Sequence, residues 1–161
     1  MPSLDVFCGD SSLWIGDADI ILSNPYAPIP PHLHGKPAII SLYERRGRRE
    51  IAERWLGGAP LSLIDRWGSG LTNSVYVANL PVRSITLSDL VEDPPIYFPL
   101  DLPRRLIAGY AEFFPPGAVV FDGCCGRGTV GAACREKGLA FVGIDHDPAM
   151  IETARAYLGI S

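Results

Sequence analysis

The sequence predicts an α/β domain: a mostly parallel sheet with helices on both faces. Three observations carry that expectation. The chain has 161 residues, 47% hydrophobic and 20% charged, which suits one globular domain burying roughly 70% of its unfolded surface. Its C-terminal part alternates short apolar runs with helical patterns, the mark of a βαβ unit. Its N-terminal half holds short apolar runs punctuated by Pro, Gly, Asn and Ser, as strands are.

Taken in order, Asp19 to Leu22 reads as a strand that runs into Ser23-Asn24-Pro25-Tyr26-Ala27-Pro28. Pro28 to Pro37 is a proline-rich loop, and Ala38 to Tyr43 a second strand. Glu44 to Leu56 is a charged helix closed by Gly57-Gly58. Leu61 to Ile64 and Val75 to Leu80 are strands separated by the Gly/Ser/Asn-rich stretch Trp67 to Ser74. Residues 81–97 read as a connector. Asp101 and Pro103 start a helix whose apolar spacing runs through Leu106, Ile107, Tyr110 and Phe113 until Pro115-Pro116-Gly117 stops it. Ala118 to Phe121 is a short buried strand, Thr129 to Lys137 a helix ended by Gly138, and Ala140 to Ile144 a strand. Asp147 as N-cap and Pro148 at the first helical position begin a last helix that stops at Gly159.

Bulk properties exclude several classes. The net charge of −4 means that any nucleic-acid affinity needs a local basic patch. No apolar run is long enough to cross a membrane. The start MPSLDVFCGD lacks the basic residues and long apolar core of an export signal, so a cytoplasmic protein is expected. Cys8, Cys124, Cys125 and Cys134 lack zinc-ligand spacing, and the three histidines complete no quartet; reduced thiols and no metal are expected.

The chemistry concentrates in Asp122-Gly123-Cys124-Cys125-Gly126-Arg127-Gly128-Thr129, between a strand and a helix. Glycines there let backbone approach a ligand, and the helix start offers free N–H groups. Asp145 ends the next strand, about 20 residues on, where a carboxylate accepts hydrogen bonds from ribose hydroxyls. A tight turn with a solvated Asp145 is the plainer alternative. N-capping already accounts for Asp147.

With these residues in view, the segment from Phe98 to Leu158 resembles the C-terminal half of the S-adenosylmethionine-dependent DNA amino-methyltransferases, in the group whose catalytic loop precedes the cofactor loop. Their cofactor loop usually reads Asp-Pro-Phe-Cys-Gly-Ser-Gly-Thr; this chain keeps the acid, Cys125, both later glycines and the Thr. The family's His-Pro-Thr-Gln-Lys-Pro matches Phe98-Pro99-Leu100-Asp101-Leu102-Pro103 only at its prolines. Near the N-terminus, Gly9-Asp10 is similar to the pair that touches the cofactor adenine. The resemblance implies a Rossmann-like methyltransferase fold and S-adenosyl-L-methionine held by Asp10, Pro99, Asp122, Gly123, Cys124, Cys125, Gly126, Gly128, Thr129 and Asp145.

Methylating an exocyclic base amine needs oxygen acceptors that draw the NH₂ hydrogens aside and aim the nitrogen lone pair at the methyl group. An aromatic ring stacks on the extruded base. The family signature for this is Asp/Asn/Ser-Pro-Pro-Tyr/Phe/Trp. One register places Asn24-Pro25-Tyr26-Ala27 on it; the other places Ser23-Asn24-Pro25-Tyr26. Asn24 as acceptor and Tyr26 as ring, with Pro25 between them, survive in both. An ordinary Asn-Pro turn is the alternative. Asp93-Pro94-Pro95-Ile96-Tyr97 is a more literal match, but no strand feeds it. Carbon methylation through a Pro-Cys nucleophile is not expected, since no cysteine follows a proline.

Arg45, Arg46, Arg48 and Arg49 form the densest positive cluster and are the candidate DNA contacts, against a solvated helix surface. Trp55 and Trp67 read as core anchors, and His32 and His34 as solvent-facing. One minimal domain is expected, with residues 1–97 as the catalytic-loop half, 98–161 as the cofactor half, and no separate target-recognition domain. The expected activity is methylation of adenine N6, ahead of cytosine N4, in DNA, as in restriction-modification. A homodimer or a partner recognition subunit would supply specificity. The alternatives are a non-catalytic cofactor-binding or regulatory subunit, and a methyltransferase on RNA, protein or a small molecule.

Overall fold

The computed structural model describes residues 2–94 and 98–161. Seven strands form one sheet: β1 (Leu4–Cys8), β2 (Ile20–Ser23), β3 (Ala38–Tyr43), β4 (Ser62–Trp67), β5 (Asn73–Ala78), β6 (Val119–Asp122) and β7 (Ala140–Asp145). Their spatial order is β1-β7-β6-β2-β3-β5-β4. The pairs from β1 to β3 are all parallel, and β5 alone runs against its neighbours β3 and β4.

Four helices accompany the sheet: α1 (Arg48–Trp55), α2 (Asp101–Gly109), α3 (Thr129–Glu136) and α4 (Pro148–Leu158). The strands are apolar on both faces because both are covered. Ile20, Leu22, Val120 and Phe141 point into a core shared with α2, α3 and α4. Ile21, Ile40, Phe121 and Val142 point into a second core closed by α1, Ile29 and Leu33. Helices therefore do lie on both faces, three on one and one on the other.

The capping residues perform as their chemistry dictates. Asp147 accepts from the Ala149 N–H at 2.9 Å and Pro148 opens α4, while Gly159 ends it with φ of +67°.

Four expectations require correction. The helix expected from Glu44 begins at Arg48, because the Glu44 N–H still bonds the Thr72 carbonyl at 2.8 Å beside the sheet and Gly47 turns at φ +77°. The helix from Asp101 stops at Gly109, where a Cβ would sit 2.4 Å from Ile85; a short 3-10 turn, Ala111–Phe113, follows. Trp67, Asn73 and Ser74 are strand residues, and only Ser69–Leu71 between them is a turn. Over its described residues, 81–94, the connector is part of the core rather than a tether. Leu87 is fully buried, its N–H donates to Asp65 Oδ2 at 2.7 Å, and the fully buried Tyr110 hydroxyl donates to the Pro81 carbonyl at 2.6 Å. Strand β1 was not expected at all. Of the Asp-Pro-Pro alternative, Pro95, Ile96 and Tyr97 lie outside the described residues, and Asp93 is exposed.

Candidate active site

Chain order reverses between β6 and β2. From β6 the chain proceeds through α3 to β7 on one side, while β2 lies against β6 on the other. In parallel sheets the crevice at such a reversal is where ligands bind. The Asp122 loop leaves the end of β6, and Ser23-Asn24-Pro25-Tyr26 leaves the end of β2, so segments about a hundred residues apart in sequence become neighbours.

Two side-chain bonds join them. The Ser23 hydroxyl donates to Asp122 Oδ1 at 2.7 Å in a buried environment, and the Tyr26 N–H donates to Cys124 Sγ at 3.2 Å. Asp122 Oδ1 also accepts from the Cys124 N–H at 3.1 Å. Burial pushes the Asp122 carboxyl up to about 7, against the pull of those two donors. Burial likewise raises the Cys124 thiol to about 11, and those of Cys125 and Cys134 further still.

The glycine loop has the conformation its composition requires. Gly126 and Gly128 sit at φ +50° and +87°, where a side chain is strained. A Cβ at Gly126 would meet nothing within 4 Å, so the space above that loop is open. Gly143 lets β7 pass under Cys125, whose Cβ would be 2.9 Å from a Cβ at that position. Asp145 Oδ2 accepts from the Gly126 N–H and Oδ1 from the Asp147 N–H, each at 3.0 Å. Asp145 thus braces the loop and keeps the remaining lone pairs of both oxygens for a ligand.

A cavity of about 900 Å³ lies across these strand ends, lined among others by Asn24, Tyr26, Cys125, Gly126, Asp145 and Phe98. A smaller hollow of about 350 Å³ joins Gly9, Asp10, Gly123 and His146 on the far side of Cys124 and Tyr26. Asp10 accepts from the Ser12 N–H at 2.9 Å and the Ser12 hydroxyl at 2.6 Å, which hold its carboxyl below the usual range.

Asn24, Tyr26, Asp122, Cys124, Cys125, Gly126, Thr129 and Asp145 all face the larger cavity, while Asp10 and Gly123 face the smaller. Pro25 is buried beneath the loop, and Gly128 packs against Ala154. Pro99 is buried at the entry to α2, where its carbonyl accepts from the Leu102 N–H; its neighbour Phe98 is the residue that reaches the cavity. The arginines divide. Arg45 and Arg48 line the cavity, Arg46 is exposed on the turn before α1, and Arg49 pairs with Glu53 and lies over the Tyr76 ring.

Trp67 is buried and donates from its indole N–H to the Ser41 hydroxyl at 3.0 Å, as a core anchor should, with part of it reaching the cavity. His34 pairs with the Ile29 carbonyl at 3.0 Å and His32 with that of Gly16, and neither lines the cavities. His146, facing both cavities, and Met150 escaped sequence reasoning. Their signal was position alone: they follow an acid at a strand end. Among the described residues no cluster of metal-ligating side chains occurs, and no helix is long and apolar enough to cross a membrane.

A parallel sheet with one reversed strand near its edge, and a glycine loop and acid at adjacent strand ends, define the class: a Rossmann-like methyltransferase fold. More particularly, the chain belongs to the N6/N4 DNA methylase family, whose model matches residues 62–156. Solved structures that share the fold include the following three. M1.HpyAVI is 18% identical with a TM-score of 0.66, over 98% of this chain and all of that one. TTHA0409 of Thermus thermophilus, complexed with S-adenosyl-L-methionine, is 16% identical with a TM-score of 0.63, over 99% of this chain and 93% of that one. The cytosine-N4-specific PvuII DNA methyltransferase is 11% identical with a TM-score of 0.62, over 99% and 87%. No curated protein sequence matches the chain.

Proposed function

We propose that this protein transfers a methyl group from S-adenosyl-L-methionine to an exocyclic amine of a DNA base, adenine N6 ahead of cytosine N4. The observation that carries the reading is the meeting of Asn24-Pro25-Tyr26 with the glycine loop across one cavity, stitched by the Ser23–Asp122 and Tyr26–Cys124 hydrogen bonds. Family membership and a neighbour complexed with S-adenosyl-L-methionine support it.

The residues fit that cofactor. Open space over Gly126, the free lone pairs of Asp145 and the hollow beside Asp10 suit a methionyl, a ribose and an adenine moiety in turn. When bound it supplies an electrophilic methyl group on a sulfonium sulfur. The protein's work is on the amine. Asn24 Oδ1 and the Pro25 carbonyl accept the two N–H bonds, which turns the nitrogen lone pair out of the ring system and toward the methyl carbon. Tyr26, 64% exposed, offers its ring face to the extruded base. The new N–C bond forms as the C–S bond breaks, sulfur keeping the electron pair, and the surplus amine proton leaves to water. A cavity of about 900 Å³ has room for either a purine or a pyrimidine base beside the cofactor.

Residues 28–94 are used for β3, β4, β5 and the core-forming connector, so we assign no separate recognition domain to the chain. Target choice then rests on Arg45 and its neighbours, or on a second subunit. The test is to incubate purified protein with methyl-labelled cofactor and unmethylated genomic DNA, then digest to nucleosides for mass spectrometry. Labelled N6-methyladenine is expected. Label on cytosine N4 corrects the base. Cofactor binding with no labelled DNA overturns the enzyme reading in favour of a cofactor-binding subunit.

A further inference from the structure

Arg48 stands on the first turn of α1 and reaches back to the catalytic loop. Its Nη2 donates to the Pro25 carbonyl at 3.0 Å, and its guanidinium carbon lies 5.2 Å from the centroid of the Tyr26 ring. The Trp55 ring is 5.1 Å away, and among the described residues no carboxylate pairs with Arg48. A planar group that lies over the Tyr26 ring and donates an N–H to the Pro25 carbonyl occupies the two partners that an amino-bearing base would use there.

We infer that Arg48 holds the target-base position in the free protein and admits a base only when a DNA phosphate draws it away. Arg48 is thereby a specificity-determining residue, distinguishing a base carried on a polynucleotide from a free nucleoside. This rests on the assignment of Asn24-Pro25-Tyr26 as the amine-binding loop and adds to it the requirement for a backbone.

The physical basis is an exchange of partners. In the free protein the guanidinium has one carbonyl and two ring faces to satisfy it. A phosphate offers a bidentate, charge-assisted alternative. A nucleoside lacks that phosphate and must compete with Arg48 for both the ring and the carbonyl. A polynucleotide delivers base and phosphate together.

Two variants of the full-length protein test this, R48A and R48K, each checked for folding by thermal melting. Binding of deoxyadenosine and deoxycytidine is followed by saturation-transfer NMR, and binding of a mixed-sequence oligonucleotide by anisotropy at several salt concentrations. R48A is expected to bind the free nucleosides about tenfold more tightly, equivalent to roughly 1.4 kcal/mol. It should also lower the salt slope of oligonucleotide binding by about one phosphate contact. R48K, with a charge but no plane to stack, should gain in nucleoside affinity while keeping the salt slope. Nucleoside affinity that falls or stays level in both variants overturns the inference. Calorimetric titration of wild type with S-adenosyl-L-methionine and the DNA-labelling assay separately test the methyltransferase reading. Their failure beside a tighter-binding R48A would leave Arg48 as the guard of a base site in a protein that transfers no methyl group.

Discussion

Replacing Asp122 by Asn probes the junction of the two loops. The Asp122 carboxyl is buried, with Oδ1 accepting from the Ser23 hydroxyl and the Cys124 N–H, and burial lifts its pKa from 3.8 to about 7. Its folded-state value exceeds its unfolded one, so between these pH values the native protein holds a proton that the unfolded chain has released. The associated stabilisation is fully present below about pH 4 and is lost as pH rises through about 7. A span of about three pH units, at roughly 1.4 kcal/mol each, sets the loss at about 4 kcal/mol. Asn keeps the Oδ1 acceptor and has no proton to lose. The assay is urea unfolding of wild type and D122N at pH 4.5 and pH 8. Wild-type stability relative to D122N should fall between the two by about 3 kcal/mol, since pH 4.5 already lies above the unfolded value and about 2.5 of the three units remain. Parallel pH profiles would refute the claim that Asp122 is a buried acid at this junction.

Three further outcomes follow from the same geometry. Gly128→Ala places a side chain at φ +87° and 3.3 Å from the Ala154 Cβ, so it should cost about 1–2 kcal/mol in a denaturant melt and weaken S-adenosyl-L-methionine binding by calorimetry. Leu87→Ala should cost about 2–5 kcal/mol, because this connector residue is fully buried; a loss under 1 kcal/mol would show that the connector is only a tether. Iodoacetamide at pH 8 should label exposed Cys8 first and Cys124, its thiol raised to about 11, much more slowly, with buried Cys134 last in peptide mass spectrometry.

The C-terminal half was legible because its signals are local. Asp147-Pro148, Gly138 and Gly159 each carry a conformation that their chemistry dictates, and they bound α3, β7 and α4 to within a residue. The N-terminal half depends on distant partners. Nothing near Glu44 announces that its N–H belongs to Thr72, and nothing in 81–97 announces that Leu87 will find Asp65. Strand β1 offered only the alternation of Leu4, Val6 and Cys8, too short to stand out without the β7 neighbour it pairs with.

The candidate site divides in the same way. The glycine loop and Asp145 follow from spacing in one βαβ unit. The bonds from Ser23 to Asp122 and from Tyr26 to Cys124 span 99 and 98 residues and are set by strand order alone. Of four clustered arginines, sequence could not say that Arg48 turns inward to the Pro25 carbonyl while Arg46 stays on the surface.

The central claim is that Asn24 acts on the amine and not on the cofactor. Single-turnover methyl transfer to unmethylated genomic DNA by wild type and Asn24→Ala, with the S-adenosyl-L-methionine Kd of each from calorimetry, tests it directly. The account predicts a Kd unchanged within about twofold and a transfer rate lower by about 100-fold or more, the loss expected for a preorganised acceptor at the reacting group. An Asn24→Ala protein that transfers methyl groups at the wild-type rate would contradict it.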